Sequence, residues 1–140
     1  MIVVDTNVIS ELMRPAPSRA VRQWVRARSG RALYTSAVTI AEIRYGIERL
    51  PDGRRKELLK SAAGGLFELF ADQILPFDSA AAEQYALVVS RREKLGMPID
   101  GFDGQIAAIC RAREMALATR NVADFRDTGV DLIDPWHGEE

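Results

Sequence analysis

The chain has 140 residues, 47% hydrophobic and 28% charged, with a formal net charge of −1. That suffices for one domain over residues 1–140 with a buried core. No apolar run approaches the roughly 18 residues of a membrane span. The opening Ile2-Val3-Val4 stops at Asp5 without the basic start of a secretion signal, so a cytoplasmic protein with no membrane contact is expected.

Ile2-Val3-Val4 reads as a buried parallel strand ending at Asp5. Thr6 and Asn7 are caps for a short helix to about Leu12, which Pro15 and Pro17 interrupt. Ser18 caps a second helix to about Arg28. Its apolar positions Ala20, Val21, Trp24 and Val25 keep helical spacing, with Arg19, Arg22 and Arg26 on another face. Ala32 to Thr35 is the second strand. Ser36 or Thr39 starts a helix to about Leu50. After the Pro51-Asp52-Gly53 turn, another helix from Arg54 to Ala71 forms a hairpin with it, with Gly64-Gly65 as an expected kink or break. Ile74 to Phe77 is a third strand. Asp78 or Ser79 caps a long helix to about Leu95, and Asp100 opens another to about Glu114. Ala116 to Thr119 is the fourth strand, Asn121 to Phe125 a helical turn, and Asp131 to Ile133 the fifth strand.

Strands alternating with helices predict an α/β sandwich with a mostly parallel five-stranded sheet. In such folds ligands gather beyond the carboxyl ends of the strands. Asp5 follows the first strand, Glu42 lies early in the helix after the second, Asp103 opens the helix before the fourth, and Asn121 and Asp124 follow the fourth. These are the candidate catalytic residues, with Asp5, Asp103 and Glu42 as candidate metal ligands. Cys110 is the only cysteine and His137, near the end, the only histidine. This excludes a disulfide and a thiolate cluster and disfavours a Ser-His-Asp triad. A metal site must rest on oxygen donors, which points to Mg²⁺ or Mn²⁺.

Phosphodiester cleavage calls for such a site, because negative charge builds on the oxygens of a phosphorane-like transition state and Mg²⁺ neutralises it while acidifying a bound water. Every acid also has a plainer reading. Thr39 to Glu42 fits a capping box. Asp100 with Asp103, and Asn121 with Asp124, fit helix starts. Asp5 fits a turn. Thr6, Asn7, Arg120 and Arg22 are the candidate substrate contacts, Arg120 for a phosphate and Arg22 from a basic helix face that reads slightly better as solvated. No acid occurs from Leu12 to Ala41, whereas Asp124, Asp127, Asp131, Asp134, Glu139 and Glu140 crowd the C-terminal end. Trp24 and Trp136 read as packing residues ahead of base-stacking platforms, and Cys110 as a small core residue.

Together these segments resemble the PIN-domain toxins of the VapC type. The resemblance rests on Val4-Asp5-Thr6-Asn7, on Ser36 to Gly46 around Glu42, on Asp103 to Ala108, on Ala118 to Phe125 and on Asp134-Pro135-Trp136, in family order over nearly the whole chain. The closing Pro-Trp and the Ile74 to Asp78 stretch are most similar to the FitB-like branch. The resemblance implies a PIN-like three-layer sandwich and Mg²⁺-dependent endoribonuclease activity that arrests translation by cutting RNA, such as tRNA or rRNA. It also implies a VapB-type antitoxin partner and a homodimer that can enter a larger toxin–antitoxin assembly. Asp5, Glu42 and Asp103 match the family's acidic triad; the fourth position falls at Asn121, with Asp124 one turn further. The competing readings are an RNA-binding module without catalysis, a PIN-type nuclease acting on DNA, and a phosphoacceptor domain. The last lacks an acidic pair at the first strand and a lysine after the last.

Overall fold

The computed structural model describes residues 1–28 and 30–137. Glu139 and Glu140 of the acidic C-terminal end lie outside the described residues. The chain runs β1 (Ile2–Val4), α1 (Thr6–Leu12), α2 (Arg19–Arg26), β2 (Leu33–Ser36), α3 (Ala37–Glu48), α4 (Arg54–Phe70), β3 (Ile74–Leu75), α5 (Ser79–Lys94), α6 (Gly101–Arg113), β4 (Ala116–Ala118) and β5 (Leu132–Ile133). Single 3₁₀ turns cover Ala71–Gln73 and Val122–Phe125. The sheet order is β3-β2-β1-β4-β5, and all four pairings are parallel.

Alternation along the central strands builds three layers, because successive side chains of a strand leave by opposite faces. Val4 and Ala118 face a core formed with Val8, Ile9, Val21, Ile43 and Phe67, from α1 to α4. Val3 and Leu117 face a second core formed with Val88, Ile106, Ile109 and Cys110, from α5 and α6. Trp24 and Cys110 are buried packing residues, as expected. Arg19, Arg22 and Arg26 are exposed on α2.

Three local expectations are corrected. Gly64-Gly65 does not break α4, which continues to Phe70. Each interior glycine costs about 1 kcal/mol, but the buried Ala63, Phe67 and Phe70 on the same helix outweigh it. The cap of α1 is Asp5, whose carboxylate accepts the Thr6 N–H, rather than Thr6 or Asn7. The cap of α3 is Ser36, whose hydroxyl accepts the Thr39 N–H at 3.1 Å. Thr39 therefore lies inside the helix, and the capping box ending at Glu42 does not form. The strand order reverses at β1, which has β2 on one side and β4 on the other. A crevice opens at the carboxyl end of such a switch point.

Candidate active site

Asp5 leaves β1 directly into that crevice. Its N–H continues the ladder to the Ala118 carbonyl at 2.9 Å, so the backbone of β4 sets its position. The side chain is only 3% exposed. One carboxylate oxygen accepts the Thr6 N–H at 2.8 Å. The other accepts the Thr119 hydroxyl at 2.8 Å and the Asn7 amide at 3.2 Å. Thr119 also accepts the Asn7 amide at 3.2 Å and the Asn121 N–H at 3.0 Å. Asn7 in turn accepts the Arg120 N–H at 3.2 Å. The loops following β1 and β4 are thus sewn together around one carboxylate.

Glu42 projects from α3 and accepts the Thr6 hydroxyl at 2.7 Å. Asp103 sits in the first turn of α6, which Asp100 caps by accepting the Phe102 N–H at 2.9 Å. Asp5, Glu42 and Asp103 line one cleft of about 480 Å³ together with Arg120, Asn121 and Trp136. Thr6 and Asn7 also line it, their polar groups engaged on Glu42 and Asp5. Asp124 does not form its wall, yet its charge bears on both Asp5 and Asp103. Arg22, on the exposed face of α2, is not part of the cleft.

The electrostatics are those of crowded acids. Burial raises the Asp5 carboxyl above its ordinary range, against the hydrogen bonds from Thr119, Thr6 and Asn7. Burial raises Glu42 too, with Asp5 and Asp100 adding repulsion. Asp103 is pushed up to about 7 by burial and then by the charges of Asp5, Asp100, Glu42 and Asp124. Among the described residues none of the three forms an ion pair. Glu11 at the cleft edge behaves oppositely: the Ser18 N–H, then Arg14 and Arg120, hold it below the usual carboxylate range.

Thr119 and Asp100 were not candidates from sequence. Thr119 was visible only as a polar residue closing a strand, and Asp100 only as a cap. A further cation organises the far side. Arg92 of α5, 5% exposed, donates to the Met97, Asp124 and Arg126 carbonyls at 2.7, 2.8 and 2.7 Å. It ties the segment before α6 to the turn that carries Asp124.

The donors are hard oxygens, the set Mg²⁺ or Mn²⁺ accepts. Among the described residues no three His, Cys, Asp or Glu side chains stand close enough to hold an ion by themselves. The acids ring the cleft instead of closing on a point, an arrangement that suits an ion retaining part of its water shell.

A parallel α/β sandwich with carboxylates gathered at its switch point defines a recognisable class. The PIN domain family model matches residues 2–130. VapC ribonuclease Y4jK of Sinorhizobium fredii is 40% identical over 97% of this chain and 98% of its own length. Toxin FitB of Neisseria gonorrhoeae is 38% identical over 98% of this chain and 99% of its own. The solved structure of FitAB bound to the IR36 DNA fragment superposes with a TM-score of 0.92 at 39% identity, covering 100% of this chain and 99% of that one. The chain belongs to the PIN-domain family, among its VapC and FitB toxins. No helix among the described residues is long and apolar enough to cross a membrane.

Proposed function

We propose that this chain is a Mg²⁺-dependent endoribonuclease, the toxin of a VapBC-type pair, which arrests translation by cutting RNA of the tRNA or rRNA class. One observation carries this reading: Asp5, Glu42 and Asp103 share a cleft at the carboxyl edge of the sheet, each raised above its ordinary range. Acids crowded in this way want a cation, which favours their charged forms. Asp5, Asp103 and Glu42 would hold Mg²⁺, or Mn²⁺. Bound there, the ion supplies charge for the phosphate and a more acidic water.

The chain's own residues do the rest. Thr119, Asn7 and Thr6 orient the Asp5 carboxylate, and Thr6 also orients Glu42. Asn121, on the cleft wall, takes the fourth position and offers an amide to the attacking water, while Asp124 contributes charge from behind. Arg120, exposed beside the cleft, contacts a phosphate. Arg22 meets the RNA backbone further along the strand.

The names of the relatives, a VapC ribonuclease and a FitB toxin, support the activity and the toxin role. The FitAB–DNA structure supports an antitoxin partner. A second groove of about 900 Å³, floored by Ile43, Ile47 and Leu59, abuts the cleft and shares Thr6, Arg14 and Glu42 with it. We assign this groove to a C-terminal segment of a VapB-type antitoxin, with the toxin as a homodimer inside a larger assembly. The test uses purified chain freed of antitoxin. It should cut RNA with Mg²⁺ or Mn²⁺ and stop in EDTA, and Asp5→Asn should abolish cutting with an unchanged circular dichroism spectrum. Full activity of that variant would overturn the metal-site reading.

A further inference from the structure

The cleft wall is polar except at one place. Among the described residues that line it, Trp136 is the one aromatic side chain. Its indole is half-buried and packs on the α1–α4 core. Its backbone N–H donates to the Asp134 carboxylate at 2.9 Å, which holds the turn that carries the ring. The Arg120 guanidinium carbon lies 5.1 Å from the ring centroid, within the range of a cation–π contact. The backbone of Arg120 is anchored to Asn7, which is anchored to Asp5. The Arg120 backbone and the buried carboxylate therefore belong to one hydrogen-bonded frame, and the ring meets that frame through the guanidinium, with Arg120 still exposed to solvent.

We propose that Arg120 and Trp136 form a stacking platform for one unpaired nucleobase of an RNA strand, next to the phosphodiester placed at Asp5. This rests on the ribonuclease reading. A phosphate drawn towards acids needs a counterweight, and stacking supplies one that is indifferent to charge. Every base has a π-face, so aromatic and arginine platforms hold bases with little sequence preference. A base inside a duplex has both faces covered by its neighbours, so the platform selects single-stranded segments of RNA.

The test is a binding scan with Mg²⁺ present, in the Asp103→Asn chain, which the ribonuclease reading makes inactive so that the strand stays intact. Single-stranded oligoribonucleotides carrying one abasic site at successive positions are titrated and followed by anisotropy. One position should weaken binding about tenfold, the effect of losing one stacked base, and its neighbours much less. Adding Trp136→Leu or Arg120→Met should erase that position-specific loss, and Trp136→Phe should retain it. The fluorescence of Trp136 should fall with the intact strand and not with the strand abasic at that position, over a steady background from the buried Trp24. If Trp136→Leu fails to fold, the Arg120→Met and Trp136→Phe chains decide the matter. A uniform abasic profile, or the same loss with and without Trp136→Leu or Arg120→Met, overturns the platform alone. Failure of the parent chain to cut any RNA overturns the ribonuclease reading and the platform with it.

Discussion

Replacing Asp103 by Asn keeps the shape of the side chain and removes one charge from the crowded cleft. Burial and the neighbouring carboxylates push this carboxyl up to about 7 from its ordinary 3.8. At about 1.36 kcal/mol per tenfold change in proton affinity, its ionised form at neutral pH destabilises the fold by at most about 4 kcal/mol. Part of Asp103 remains in solvent, so screening reduces this to roughly 1–3 kcal/mol. The sign follows from the proton count. Between pH 4 and 7 the folded chain holds a proton that the unfolded chain has lost, so stability falls as pH rises through that window and levels off above it. Urea unfolding in EDTA should find Asp103→Asn more stable than the parent at pH 7.5 by that margin, equal to it near pH 4, and less pH-dependent between. Asp5 and Glu42, raised in the same direction, should leave a residual slope. Added Mg²⁺ should flatten the parent's curve, because a cation favours the charged carboxylates. A variant no more stable at pH 7.5, with an undiminished slope, would refute the argument that these acids repel one another in the folded state.

Thr119→Ala should lower stability by about 1–3 kcal/mol, since it leaves the buried Asp5 carboxylate short of its hydroxyl donor, and should slow RNA cleavage; Thr119→Ser should restore both in the same unfolding and cleavage assays. Arg92→Met should cost about 2–4 kcal/mol by stranding three carbonyls that Arg92 serves, with hydrogen exchange accelerating first in residues 121–126. Gly104→Ala should cost about 1–3 kcal/mol, because a Cβ there would stand 3.1 Å from the Tyr85 ring and 3.2 Å from Val89. Thermal unfolding measures it, and an unchanged melting temperature would show that α5 and α6 part more easily than their packing implies.

Much of this architecture was legible in the chain because its signals are local. Ile2-Val3-Val4 followed by Asp5 marks a buried strand and an acid at its carboxyl end, and strands alternating with helices place that acid in a crevice. Ser18, Asp78 and Asp100 announce the helices they cap. Other features depended on partners far along the chain. Glu42 fitted a capping box until the Thr6 hydroxyl, 36 residues away, proved to be its partner. Thr119 carried no signal of its own, yet it lies 114 residues from the Asp5 oxygen it holds. Gly64-Gly65 reads as a break by propensity, and only the buried positions around it keep α4 whole.

The kinds of donor available, and the elements that carry them, are written in residue order: acids with one cysteine and one histidine, set at strand ends and helix starts. Backbone propensity and side-chain chemistry act over a few residues, so they can be read in order. Which of those acids meet is set by long-range packing. Parallel pairing of β1 with β4 brings Thr119 to Asp5, packing of α3 and α6 brings Glu42 and Asp103 to the same cleft, and the turn after β5 sets Trp136 against Arg120. Repulsion among carboxylates and hydrogen bonds between distant loops depend on distances of a few ångströms, which exist only once the chain has folded.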